Sequence, residues 1–341
     1  MKKSAVKRST AGSPRKPQPP VRAAKAATAT AAQAESASTK ASPAPAAVAP
    51  EPPAAASKAA ARVRVVRPAA TATLMALHEG IVYGPVRSRR LGRSLGINLT
   101  PAHLKLCTFN CSYCQYGWSA HSRRTATPAF EHWPSPSAVA KAVASAIRAL
   151  SAQGERLDRL TLAGHGEPTL HPKFREVVRA LRAVRDDLAP GVPLAVLSNA
   201  STLEQAEVRE ALAALDERYM KLDAGDTATL RTVNGATMTI EQVIAGLKKV
   251  PDIVIQSMFV RDRTGRIDNT GDLTVINWVG ALDRIRPKAV QVYTIDRIPA
   301  FPYLQQVPAA RLLEIAQRVR LAGFRCDVYG VPEALAAPDK A

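Results

Sequence analysis

Across residues 74–331, short apolar runs alternate with longer stretches in which apolar positions recur every three or four residues. A short apolar run between polar or glycine-bearing turns reads as a buried strand, and the longer period reads as a helix with one apolar face. The pattern predicts strands at 95–99, 159–162, 194–197, 219–222, 253–258 and 289–293. It predicts helices at 137–150, 172–184, 203–215, 240–248, 274–285 and 309–322. Several helix starts carry matching chemistry. Ser135, Pro136 and Ser137 can cap the first, Thr202 precedes Leu203 with Glu204 and Gln205 in the first turn, and Pro308 precedes the last. Six strand–helix units in succession argue for one α/β domain, a parallel sheet wrapped by helices as an incomplete (β/α)6 barrel. At about 260 residues the segment is long enough for a core that needs no covalent staples.

Each predicted strand ends in polar chemistry. The first is followed by a cysteine-bearing loop, the second by Gly164-His165-Gly166-Glu167-Pro168-Thr169, and the third by Ser198-Asn199-Ala200-Ser201. The fourth ends in Lys221-Leu222-Asp223, the fifth in Gln256-Ser257-Met258, and the sixth in Tyr293-Thr294-Ile295-Asp296-Arg297. Parallel α/β barrels carry their sites at the carboxyl ends of the strands, so all six segments are expected at one mouth.

The cysteine loop reads Cys107-Thr108-Phe109-Asn110-Cys111-Ser112-Tyr113-Cys114, and the only other cysteine is Cys326. Three thiolates on one short loop can hold three irons of a [4Fe–4S] cluster and leave the fourth open to an outside ligand. A Cys3His zinc site is the rival reading, because His121 follows Cys114 by seven residues. Four cysteines in a long chain do not make a disulfide framework, so reduced thiols are expected. Cys326 reads as a structural thiol.

The Cys-x3-Cys-x2-Cys spacing, with Tyr113 before its last cysteine, resembles the radical S-adenosylmethionine (radical SAM) enzymes. The resemblance implies a partial barrel of the radical SAM type and two cofactors, a [4Fe–4S] cluster and S-adenosylmethionine (SAM). In that family the amino and carboxylate groups of SAM chelate the open iron, and an electron from the cluster splits the sulfonium to give a 5′-deoxyadenosyl radical. Residues 164–168 resemble the Gly-Gly-Glu motif that holds the SAM amino group, with His165 in place of the central glycine. The likeness assigns Gly164, Gly166 and Glu167 to that contact; a helix-capping carboxylate is the alternative for Glu167. His165 could line the site, ligate or donate a proton. By the same likeness Ser198 and Asn199 lie near the SAM carboxylate or ribose, Asp223 faces the ribose hydroxyls, Lys221 faces the carboxylate, and the backbone at Tyr113 meets the adenine. A Lys–Asp surface pair remains the alternative for Lys221 and Asp223. Gln256 and Tyr293 are weaker candidates for substrate or cofactor contact.

Residues 83–98, together with the cysteine loop and 164–172, resemble iron–sulfur oxidoreductases related to wyosine-tRNA synthase, and the likeness spans 83–324. Within it Arg87, Arg89, Arg90 and Arg93 form a dense basic loop suited to phosphate or carboxylate, unless they are only solvated with local ion pairs. The tRNA enzyme of that group holds a second cluster on N-terminal cysteines, and this chain has no cysteine before Cys107. The likeness therefore speaks for the cofactor chemistry and not for the wyosine reaction.

Composition changes the picture at the ends. Residues 1–70 are Ala, Pro, Ser, Thr, Lys and Arg, too poor in apolar residues to offset chain entropy, and are expected to form a disordered basic arm. The arm holds 13 Lys and Arg against Glu35 and Glu51, which supplies more than half of the chain's net charge of +19. It is either a linker or a non-specific polyanion binder. Residues 332–341 are expected to be a flexible tail. No apolar run suits a transmembrane helix and no signal-peptide pattern follows the basic start, so no membrane association and a cytoplasmic location are expected. The Ala- and Arg-rich, acid-poor start also resembles an organellar transit peptide.

The reading is a single-cluster radical SAM enzyme served by a low-potential electron donor and acting on RNA or a nucleotide. Formation of a radical on a protein partner is a second reading, and a non-enzymatic zinc or iron–sulfur nucleic-acid-binding protein is a third.

Overall fold

The computed structural model describes residues 73–119 and 133–331. The arm expected over 1–70, the tail over 332–341 and His121 lie outside the described residues.

The described chain begins with an antiparallel hairpin, β1 (Val82–Ser88) and β2 (Gly92–Ile97). Then follow α1 (Pro136–Ala152), β3 (Arg159–Leu162), α2 (Phe174–Leu188), β4 (Leu194–Ser198), α3 (Ala206–Ala213) and β5 (Glu217–Lys221). Two helices, α4 (Thr227–Asn234) and α5 (Ile240–Leu247), lead to β6 (Ile253–Phe259) and the short β7 (Arg261–Asp262). The last elements are α6 (Asp272–Ile285), β8 (Ala289–Thr294), β9 (Leu304–Gln305), α7 (Ala309–Leu321) and β10 (Cys326–Val328). The main sheet has the order β1-β2-β3-β4-β5-β6-β8-β10 and curls as a half-barrel. Every neighbouring pair from β2 to β10 is parallel, and β1 lies antiparallel on one edge. The short β7 and β9 form a separate two-stranded sheet.

The alternation of side chains along the strands separates core from site. Leu160, Leu162, Val196, Met220, Ile255 and Val292 belong to the main core cluster. Their neighbours Thr161, Leu197, Tyr219, Lys221, Gln256 and Tyr293 line the inside. Helices close the core with matching periodicity. In α1 the buried residues are Val139, Val143 and Ile147, a stripe at every fourth position. Ser135 caps α1 by accepting from the Ala138 N–H at 3.1 Å, and α5 carries a reciprocal capping box between Thr239 and Gln242.

The six predicted strands correspond to β2–β6 and β8, and β10 adds a seventh parallel strand. Three expectations change. The basic stretch is not a loop but the β1–β2 hairpin. The third helix starts at Ala206, not at Leu203, because the Leu203 and Glu204 carbonyls accept from Arg209 Nη1 at 2.7 and 2.9 Å and Leu203 is buried in the core. The pattern also missed α4, whose Thr- and Asn-bearing sequence has weak helix propensity. Its ends are fixed locally, by Asp226 accepting from the Thr229 N–H and by Gly235 in a left-handed conformation. Among the described residues no helix is long and apolar enough to cross a membrane.

Candidate active site at the carboxyl ends of the strands

A cavity of about 620 Å3 opens where the parallel strands end. Cys107, Cys111, Cys114 and Tyr113 line one wall. Gly164, Gly166 and Glu167 follow from β3, and Ser198 and Asn199 from β4. Lys221, Gln256 and Tyr293 come from β5, β6 and β8, and Arg87, Arg89 and Arg90 from the hairpin. Asp223, His165 and Arg93 are not lining residues.

The end of α4 holds the cysteine loop. Helix termini leave carbonyls without intrahelical partners, and two of them here accept from the loop. Asn234 O accepts from the Asn110 N–H and Val233 O from the Ser112 N–H, both at 2.9 Å. Two glycines permit the close approach: a Cβ on Gly166 would overlap the Leu106 carbonyl, and one on Gly235 would lie 2.7 Å from the Asn110 carbonyl oxygen. Two asparagine amides reach the sulfurs. Asn199 Nδ2 donates to Cys107 Sγ and Asn234 Nδ2 to Cys111 Sγ, each at 3.4 Å. Burial, with Cys111 and Glu167 nearby, pushes the Cys107 thiol up to about 12, so ligation there must displace a proton. Burial also raises Cys111, against the pull of Lys221. Among the described residues no group of three or more His, Cys, Asp or Glu is placed to hold a metal ion. A single zinc needs its donors to converge within about 2.3 Å of one point. A cluster gives each thiolate its own iron, so its three sulfurs need not converge on one point, and these three cysteines line the same cavity.

The two strand-end carboxylates are placed differently. Glu167 is 2% exposed and caps the short 3-10 turn Pro168–Leu170. Its Oε1 accepts from the Thr169 N–H, the Thr169 hydroxyl and the Ser198 hydroxyl, and its Oε2 accepts only from the Asn199 N–H at 2.6 Å. One accepting position on Oε2 is left at the cavity wall. Burial raises its carboxyl above the usual range, against these hydrogen bonds. Asp223 is 1% exposed, does not line the cavity, and accepts through both oxygens. Its Oδ1 accepts from the Met258 N–H at 2.7 Å. Its Oδ2 accepts from the Tyr113 hydroxyl and from Asn234 Nδ2 and pairs with Lys221 Nζ at 3.7 Å. Burial and this carboxylate hold the Tyr113 phenol well above its usual range. For Lys221, burial lowers the ammonium but Asp223, Tyr293 and Cys111 outweigh it, so the group stays charged.

The hairpin arginines diverge. Leu91 at the hairpin tip packs with Ala195 and Tyr219 inside the barrel, and its carbonyl accepts from Arg159 Nη1 at 2.9 Å. Arg159 in turn grips Glu217 with two hydrogen bonds, closing the barrel floor. The tip brings Arg90 over the Tyr293 ring, 3.9 Å from its centroid, and Arg89 to Asp296 at 2.8 Å. Arg93 turns away to Glu155. Gln256 donates to Gln291 at 2.8 Å.

His165 has a defined structural place. Its Nδ1 accepts from the His78 N–H at 3.1 Å, so Nε2 carries the proton and donates to the Pro101 carbonyl at 2.9 Å. Both nitrogens are spent. Burial depresses its basicity, against the Pro101 bond. The native state therefore binds fewer protons than the unfolded chain once pH falls below 6.5, and stability is lost from there downward. His78 and His171 shift in the same direction. The urea midpoint is expected to fall between pH 7 and 5, and to fall less steeply in His165→Phe, by up to ~1.4 kcal/mol per pH unit. An unchanged slope in the variant would place the titration elsewhere.

Sequence reasoning missed two parts of this site. Asn234 bridges Cys111, Tyr113 and Asp223; the signal for its helix was Asp226 as a start and Gly235 as a stop. The other is the aromatic group over the cysteine loop. His78 stacks on Tyr83 at 3.7 Å and bonds Tyr116 at 2.7 Å.

Residues 102–261 match the family model described as the Radical SAM superfamily. A UPF0026 protein of Helicobacter pylori is 30% identical over 227 residues, which is 65% of this chain and 68% of that protein. A UPF0026 protein of Methanocaldococcus jannaschii is 29% identical over 234 residues, 66% of each. The crystal structure of a radical SAM methyltransferase from Sphaerobacter thermophilus shares the fold, with a TM-score of 0.51 at 13% identity over 71% of this chain and 68% of that one. With its cysteines, glycines and strand ends arranged as above, the chain belongs to the UPF0026 proteins and to the radical SAM superfamily.

Proposed function

We propose that the chain holds a [4Fe–4S] cluster on Cys107, Cys111 and Cys114, binds SAM at the iron left open, and abstracts hydrogen from RNA or a nucleotide. Bound together, the cluster and SAM supply one-electron cleavage of the sulfonium and a 5′-deoxyadenosyl radical. The observation that carries this reading is that three thiols and the polar ends of five further strands share one cavity. Superfamily membership supports SAM-cleaving chemistry by an enzyme.

The chain's own residues divide the work. Asn199 and Asn234 donate to two sulfurs and favour the thiolate state that ligation needs. Glu167 offers Oε2 to the SAM ammonium, with Gly164 and Gly166 letting its turn pack closely against Asn98 and Leu106. Lys221 stays charged and suits the SAM carboxylate. Ser198 and the backbone beside Tyr113 flank the ribose and adenine. Electrons come from an external low-potential donor, because the fourth cysteine, Cys326, is buried in β10.

Anaerobic reconstitution, reduction and addition of SAM test the reading. Equal amounts of iron and acid-labile sulfide, with 5′-deoxyadenosine by chromatography, are expected. Zinc without sulfide and no deoxyadenosine would return the site to a metal-binding protein. Mass spectrometry of total RNA after turnover then searches for the product; a radical on a co-purifying protein would replace RNA as the substrate.

A further inference from the structure

We propose that Arg90 is the docking point for an anionic oxygen group of the substrate, a phosphate or a carboxylate, entering the cavity beside Tyr293. The proposal deepens the radical SAM reading of this cavity and rests on it. Two cations meet at one phenol there. The Arg90 guanidinium carbon lies 3.9 Å from the Tyr293 ring centroid, and Lys221 Nζ lies 5.9 Å from that centroid and 3.5 Å from the Tyr293 hydroxyl. Only Lys221 has a counter-ion, Asp223 at 3.7 Å. Arg90 pairs with no carboxylate among the described residues, and its Nη1 is shielded from solvent without a hydrogen-bond partner. A shielded donor without an acceptor is a cost already present, and an oxygen acceptor brought beside the guanidinium would relieve it.

The balance of charge agrees. Arg87, Arg89, Arg90, Lys221 and Arg297 line the cavity, against only two carboxylates. Both carboxylates are engaged: Glu167 by its four hydrogen bonds and Asp296 by Arg89. A cavity of one sign with low-dielectric walls concentrates the opposite charge. Among the arginines, Arg90 is the one fixed for the task. The Tyr293 ring holds the guanidinium at the cavity, and a guanidinium can donate to two oxygens of one anion. Arg89 sits in a surface pair more than half exposed, and Arg93 is held by Glu155 outside the cavity.

Position separates this anion from the SAM carboxylate. Lys221 Nζ lies 4.9 Å from the Tyr113 ring, on the cysteine side, and Arg90 lies beyond it on the hairpin tip. Lys221, between the two rings, would serve the cofactor carboxylate, and Arg90, on the hairpin, the substrate anion.

The experiment uses the reconstituted, SAM-loaded protein. Iron, sulfide and SAM binding are measured first; their failure in the wild type sinks the cluster reading itself. Inorganic phosphate, pyrophosphate and malonate are then titrated by calorimetry. At least one is expected to bind the wild type, and Arg90→Gln to weaken it by about tenfold or more. Arg90→Lys should lose less, since it keeps the charge without the fork. Arg93→Gln should change it by no more than about twofold. Preference for the phosphates assigns a phosphorylated substrate, and preference for malonate a carboxylate. With cluster and SAM binding intact, three results would overturn the proposal: no anion binding, equal weakening by Arg93→Gln, or a loss of SAM affinity in Arg90→Gln as large as the loss of anion affinity.

Discussion

Alanine at any one of Cys107, Cys111 or Cys114 is expected to abolish iron–sulfur loading and SAM cleavage together, while Cys326→Ala loads like the parent. The three thiols share one cavity wall, and two of them receive an amide N–H. A site with three protein ligands has no spare to cover a missing one, since Cys326 is 3% exposed within the main core cluster. Burial pushes the Cys326 thiol up to about 12, as it does Cys107, but Cys326 packs in the core away from the cavity that the three loop cysteines share. Cys326→Ala should cost only about 1 kcal/mol of packing. Iron and sulfide assays on the four variants, with denaturant midpoints as the folding control, decide the matter. Parental iron in any of the three loop variants would remove that residue from the ligand set, and a large loss in Cys326→Ala would show that it has been misplaced.

The main frame of this fold was legible because its strands are buried on the helix side and end in polar turns. The run at 159–162 coincides with β3, and those at 253–258 and 289–293 differ from β6 and β8 by one residue at the end. Tertiary contact decided what local pattern could not. The segment that became β1 carries Gly84, Pro85 and Arg87 and a register shift between Tyr83 and Val86, so no clean alternation marks it. It forms a strand by pairing with β2. The three residues of β10 are too short to read as a periodic run, and they hold their place by pairing with β8. In the site, residue type and strand-end position marked Glu167 and Asp223 equally. What distinguishes them is their partners, and those of Asp223 include Tyr113, 110 residues away. No local pattern carries that information.

That distinction leads to the second large effect. Asp223→Ala is expected to destabilise the protein by about 3–5 kcal/mol even before any cofactor binds, the cost of removing one partner from a buried charged group. Asp223 ties three segments together. Met258 on β6, Tyr113 on the cysteine loop and Asn234 at the end of α4 all donate to it. Its removal leaves the Met258 N–H and the Lys221 ammonium without their acceptor and takes one partner from Tyr113, so the cysteine loop loses one of its ties to the sheet. Asp223→Asn keeps an oxygen for Met258 but loses the anion, and should cost about 1.5–3 kcal/mol. A residue whose task is only to hold the SAM ribose would behave otherwise. Its substitution would weaken SAM binding and leave the cofactor-free protein as stable as before. Urea denaturation of the cofactor-free variants separates the two roles, because Asp223 is buried behind the cavity wall and a ribose could reach it only by disturbing this knot. An unchanged midpoint in Asp223→Ala would show that the knot carries no stability, and Asp223 would then return to the role of a cofactor contact.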